Sequence, residues 1–91
     1  MKFKLSVGYS DNELMFLKEH NCEILSEIKL SERELAENEA PRRIFKYGGV
    51  FIAEIFDDES GCYIWAVMTK WKGKYRYSSC YDSLESLEQG L

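Results

Sequence analysis

Apolar and polar residues alternate with a period of two at the start of the chain, where Phe3, Leu5 and Val7 stand against Lys2, Lys4 and Ser6. That spacing predicts a strand. The same period returns over 22–30, with Cys22, Ile24, Ile28 and Leu30 on one side. This again predicts a strand, although Ile24, Leu25 and Ile28 also suit one face of a helix. Between the two lies Tyr9-Ser10-Asp11-Asn12-Glu13-Leu14. Ser10 is placed to cap a helix, Glu13 to reach back to the Ser10 amide, and Tyr9 and Leu14 to clasp as a hydrophobic staple. The pattern predicts a helix over 11–20, closed at His20-Asn21 by the tolerance of Asn for left-handed backbone. Leu30-Ser31-Glu32-Arg33-Glu34-Leu35 repeats the cap, box and staple and predicts a second helix over 32–39. Pro41 ends it by pushing Ala40 out of helical geometry.

From Gly48 onward the chain turns aromatic and β-branched and contains no proline. Residues 50–56 and 62–71 predict two strands, joined through the polar turn Asp57-Asp58-Glu59-Ser60-Gly61. A tight turn at Lys72-Gly73 leads to a third strand over 74–81. Asp82 or Ser83 then caps a short helix, Leu84–Gln89, closed by Gly90. Gly48-Gly49 reads as a hinge or bulge at which the sheet begins. The middle strands are apolar on both sides, so both faces of part of the sheet need a cover. The expected fold is α+β: a three-stranded antiparallel meander with N-terminal strands and three short helices, in the order β-α-β-α-β-β-β-α.

Length narrows the picture. Ninety-one residues, 45% apolar and 31% charged, suit one compact domain spanning 1–91. No stretch is apolar enough for a membrane span, and the first residues lack the apolar run of a secretory signal, so a cytoplasmic location is expected. Cys22, Cys62 and Cys80 are odd in number and include no C-x-x-C pair. They are expected to be reduced thiols in the core.

Charge is uneven. Residues 11–39 carry nine acids against three bases, whereas 70–76 carry Lys70, Lys72, Lys74 and Arg76 and no acid. Arg42, Arg43 and Lys46 form another basic group. Such bipolarity supports electrostatic steering toward a partner. In the 70–77 hairpin Trp71, Tyr75 and Tyr77 alternate with cations, a pattern that fits nucleic acid through stacking and phosphate contact. It equally fits a half-buried edge with lysines facing water. The Glu-rich segment 32–39 suits a solvated helix whose acids favour the N-terminal dipole.

Candidate catalysis is thin. The one histidine, His20, falls at a helix C-terminus where a cation is favourable on structural grounds. No nucleophile elbow, phosphate loop, dinucleotide fingerprint or H-E-x-x-H motif occurs. The acidic turn 57–59 lacks the ligand spacing of a calcium loop. No catalytic residue, metal site or cofactor is expected.

Residues 50–90, three strands followed by a helix with Lys72-Gly73-Lys74 at the turn, resemble the arm-type DNA-binding domains of phage integrases and the plant ethylene-response domain in strand order. Those domains read DNA with basic strand residues, and the strand 51–56 offers no cation. Ribosome-dependent RNase toxins share this length and layout, but the chain lacks their basic surface. In overall character, and in the ending Ser79–Glu88 where a strand runs into a Glu-rich helix, the chain is similar to small inhibitors encoded by phages and mobile elements, including anti-CRISPR and anti-defence proteins. That resemblance implies a non-catalytic module that blocks a host protein or nucleoprotein complex sterically. Trp71, Lys72, Lys74, Tyr75, Arg76 and Tyr77 are the expected contact residues, since Tyr, Trp and Arg anchor interfaces. A nucleic-acid module using the same hairpin, and an oligomer sequestering a nucleotide-like ligand, are the alternatives.

Overall fold

The computed structural model describes residues 2–6, 8–29, 41–71 and 74–91. The element order is β1 (Lys2–Lys4), α1 (Asp11–Glu19), β2 (Glu23–Leu25), β3 (Glu27–Lys29), β4 (Arg43–Tyr47), β5 (Val50–Asp57), β6 (Cys62–Trp71), β7 (Lys74–Tyr81) and α2 (Leu84–Gly90). The architecture is α+β. Five antiparallel strands form the main sheet in the order β2-β4-β5-β6-β7, and β1 pairs with β3 in a small second sheet. The expected meander is present as β5, β6 and β7. The helix expected over 32–39, with its Ser31–Glu34 box, lies outside the described residues.

Helix α1 starts as its sequence dictates. The Ser10 Oγ accepts from the Glu13 amide at 3.3 Å, and the Ser10 amide donates to Glu13 Oε1 at 2.8 Å. The helix ends at Asn21, which takes the left-handed conformation at φ 53°. Leu14 departs from its expected part in the staple: it is 44% exposed. Ser83 caps α2 through the Ser86 amide at 3.2 Å. Helix α2 lies close to the sheet at Gly90, where an added Cβ would meet the tip of the Tyr81 ring and oblige that ring to shift.

Three expectations are corrected. The strand expected over 22–30 is two strands in different sheets, since the chain bends at Ser26 and passes from β4 to β1 as partner. Gly48-Gly49 does not begin the sheet. Both residues have positive φ, 54° and 93°, and form the two-residue turn joining β4 to β5. Strand β4 itself was not expected. Nor are the thiols all in the core: Cys62 and Cys80 are exposed and Cys22 is half-buried.

Both faces of the sheet are covered. On one, Leu17 of α1 and Leu87 of α2 pack against Phe45, Ile52, Trp65 and Val67. On the other, Leu5 and Ile28 from the β1–β3 side pack against Ile44, Ala53 and Met68. Strand β7 changes face at a bulge: Val67 pairs with Ser79 but Met68 pairs with Tyr77. The intervening Ser78 donates its hydroxyl to the Val67 carbonyl at 3.2 Å. Among the described residues no helix is long and apolar enough to cross a membrane.

Candidate functional site

Among the described residues, a cluster of buried charge sits on the helix-bearing side of the sheet. Arg43 stands directly opposite Glu54 in the β4–β5 ladder, and both are buried, at 8% and 4% exposure. A buried charge survives only when paired and hydrogen-bonded. Here the pairing is complete. The Arg43 Nε donates to Glu54 Oε1 at 2.9 Å, and Nη2 donates to Glu54 Oε2 at 2.6 Å and to Glu13 Oε2 at 2.8 Å. Nη1 donates to Glu13 Oε1 at 3.1 Å and to the Gly8 carbonyl at 2.6 Å. The contacts match the five N–H donors of a guanidinium. Its carbon also lies 4.7 Å from the Tyr9 ring centre and 5.3 Å from that of Trp65.

Arg42 completes the cluster from the solvent side. Its Nε donates to Glu54 Oε1 at 2.6 Å, and its guanidinium lies 3.8 Å over the Tyr63 ring. Burial pushes both carboxyls up, but the hydrogen bonds from the arginines pull Glu54 and Glu13 below their ordinary value of 4.5. Burial raises the Tyr9 hydroxyl to about 12, and that oxygen is buried without a hydrogen-bond partner among the described residues. The two arginines and two glutamates neutralise one another. Two of the three cations in the expected 42–46 basic group are therefore committed to carboxylates and do not act as a patch for phosphate.

This cluster was missed from the sequence, yet a signal for it was present. An isolated acid inside the apolar run 50–56 demands a cation. A two-residue turn at Gly48-Gly49 pairs Tyr47 with Val50, and counting outward places Arg43 opposite Glu54.

Beside the cluster, α1 and α2 bound a groove of about 510 Å³ lined by Asn12, Glu13, Met15, Phe16, Glu19, Trp65, Ser83, Leu84, Glu85 and Glu88. Trp65 is its buried residue, and Met15, 61% exposed, stands on the α1 side. Among the described residues four carboxylates line it and no cation does. Only Glu13 is held by an arginine among the described residues; Glu88 lies 3.7 Å from the His20 ring. His20 follows the last turn of α1, as expected, and its Nδ1 lies 3.0 Å from the Tyr47 hydroxyl.

Of the expected contact residues, Trp71 pairs with Lys74 and Lys70 with Tyr75 at the far end of the β6–β7 ladder, so Trp71 and Tyr75 occupy consecutive rungs. Arg76, opposite Thr69, is exposed, and Tyr77 is half-buried against the Met68 cluster. Lys72 lies outside the described residues. Among the described residues no group of three His, Cys, Asp or Glu is placed to hold a metal ion. No protein-family model, curated protein or solved structure matches the chain.

Proposed function

We propose that this chain is a small non-catalytic protein-binding module, working in the cytoplasm, that inhibits a host protein or nucleoprotein complex by steric block in the manner of the phage-encoded inhibitors it resembles. The observation that carries the reading is the groove between α1 and α2, lined by the largely exposed Met15 and the buried Trp65. Exposed apolar side chains beside a concave apolar floor are characteristic of surfaces that meet a partner. The ionisable cluster of Arg43, Glu54 and Glu13 is saturated by its own hydrogen bonds, which favours a structural role for these residues over proton transfer. The expected contact residues Trp71, Lys74, Tyr75, Arg76 and Tyr77, at the opposite end of β6 from its loop with β5, together with Lys72 of the same sequence segment, are a second contact surface.

The test is a tagged pull-down from lysate of the source cell, with and without nuclease, read by mass spectrometry. The expected result is a stoichiometric protein that survives nuclease. Recovery that disappears with nuclease transfers the function to nucleic acid and the hairpin. No stoichiometric protein in either condition refutes the reading.

A further inference from the structure

We infer that the groove between α1 and α2 receives a basic amphipathic segment of a partner protein, seating an apolar side chain over Trp65 and cations against Glu19, Glu85 and Glu88. The inference rests on the protein-binding reading and adds the chemistry of what is bound. Charge complementarity selects the occupant. Among the described residues the groove's lining contains four glutamates and no lysine, arginine or histidine. Glu13 already holds Arg43, and Glu19 and Glu85 are exposed with no cation bound to them among the described residues. A phosphate-bearing ligand, whether nucleic acid or an anionic membrane, is repelled by this rim, whereas a Lys- or Arg-bearing segment is drawn to it.

Shape and size limit the occupant further. The nine residues of α1 span about 13 Å, enough to run beside two to three turns of a helix. A volume near 510 Å³ holds a few side chains rather than a whole helix. The partner therefore presents one apolar face into the groove while its cations meet the rim, the helix-in-groove mode. Met15 is suited to the contact because its unbranched, polarisable side chain repacks around different apolar surfaces.

The probe is a fluorescein-labelled synthetic peptide of about 14 residues with Leu at helical spacing and Lys elsewhere. A control peptide carries Glu for Lys. Fluorescence anisotropy with the full chain should show binding of the Lys peptide only, weakening steeply between roughly 0.05 M and 0.5 M salt. Glu19→Lys with Glu85→Lys should lower affinity by roughly tenfold or more, and Met15→Asp should do the same. Asp58→Lys with Glu59→Lys, on the exposed β5–β6 loop, should leave it within about twofold. Circular dichroism confirms the fold of each variant, and Glu19→Gln with Glu85→Gln replaces any that fails.

Equal loss from the loop variant, or binding of the Glu peptide, or no binding, overturns the inference. In lysate, a nuclease-resistant partner retained by the Glu19→Lys/Glu85→Lys variant refutes the groove but leaves the protein-binding reading intact. Absence of any such partner with the wild-type chain refutes that reading itself.

Discussion

Replacing Glu54 with Gln keeps the shape of the side chain and removes its charge. In the native fold the carboxylate accepts three bonds, from Arg42 Nε and from Arg43 Nε and Nη2, at 2.6–2.9 Å. An amide offers one acceptor oxygen, and its NH₂ faces guanidinium donors. Breaking a buried ion pair by removing one partner costs about 3–5 kcal/mol, because a charge is left uncompensated in low dielectric. Two features place this site at the lower end. Arg43 retains Glu13, and the Arg42 side chain is 44% exposed and free to rehydrate. The expected loss is about 3 kcal/mol, or a fall in Tm of roughly 12–24 °C for a chain of this size. Urea unfolding at pH 7, followed by far-UV circular dichroism, should show a lower midpoint at an unchanged slope. The pairing also predicts non-additivity: Glu54→Gln combined with Arg43→Met should cost at least about 1.5 kcal/mol less than the two separate losses. A loss below about 1 kcal/mol for Glu54→Gln, or simple additivity, would show that the carboxylate is not the hub it resembles.

The same carboxylates set the response to acid. Glu54 and Glu13 lie below 4.5 in the folded chain, so the unfolded chain binds more protons in that range; their stabilisation is complete above the ordinary carboxylate value and is lost as pH falls through the folded one. Stability should therefore hold from about pH 5 to 8 and decline below about 4.5, with a shallower decline in Glu54→Gln, measured by urea midpoints across pH. Tyr9→Phe removes a buried hydroxyl that has no partner among the described residues and should be neutral or stabilising by up to about 1 kcal/mol; a loss of more than about 1 kcal/mol means the hydroxyl is bonded. In thiol titration of the native chain, Cys62 and Cys80 should react rapidly and Cys22 slowly, since the first two are exposed and burial raises the Cys22 thiol. Three equally fast thiols would contradict that arrangement.

Local signals were the legible part of this fold. The Ser10–Glu13 box, the left-handed Asn21, the Ser83 cap and the three meander strands each depend on residues close in sequence, and each is present as expected. Strand β4 was hidden because Arg43-Ile44-Phe45-Lys46-Tyr47 combines cations and apolar residues in a way that resembles a solvated basic segment. Its burial is apparent only once Glu54 and Glu13 are brought to Arg43 from 11 and 30 residues away. Ser26 was similarly opaque. The period of two continues across it, and only the presence of two different partner strands reveals that the chain changes sheets there. The groove could not be read at all, because it is built from two helices almost seventy residues apart and a tryptophan between them.

The pairing of β1 with β3 bears on the order in which the molecule assembles. Strands β4 to β7 are successive neighbours in sequence as well as in space, so each closure joins residues a short way apart and costs little chain entropy. Lys2 meets Lys29 only after α1 and β2 have been traversed. The small sheet is therefore a late and separable unit, tied to the rest by the Leu5 and Ile28 side chains and by the Ser6 amide on the Arg42 carbonyl. Native-state hydrogen exchange should find the amides of β1 and β3 opening well before those of β5 and β6. The underside of the sheet, over Ala53 and Met68, is then the first core surface that the folded protein shows to water.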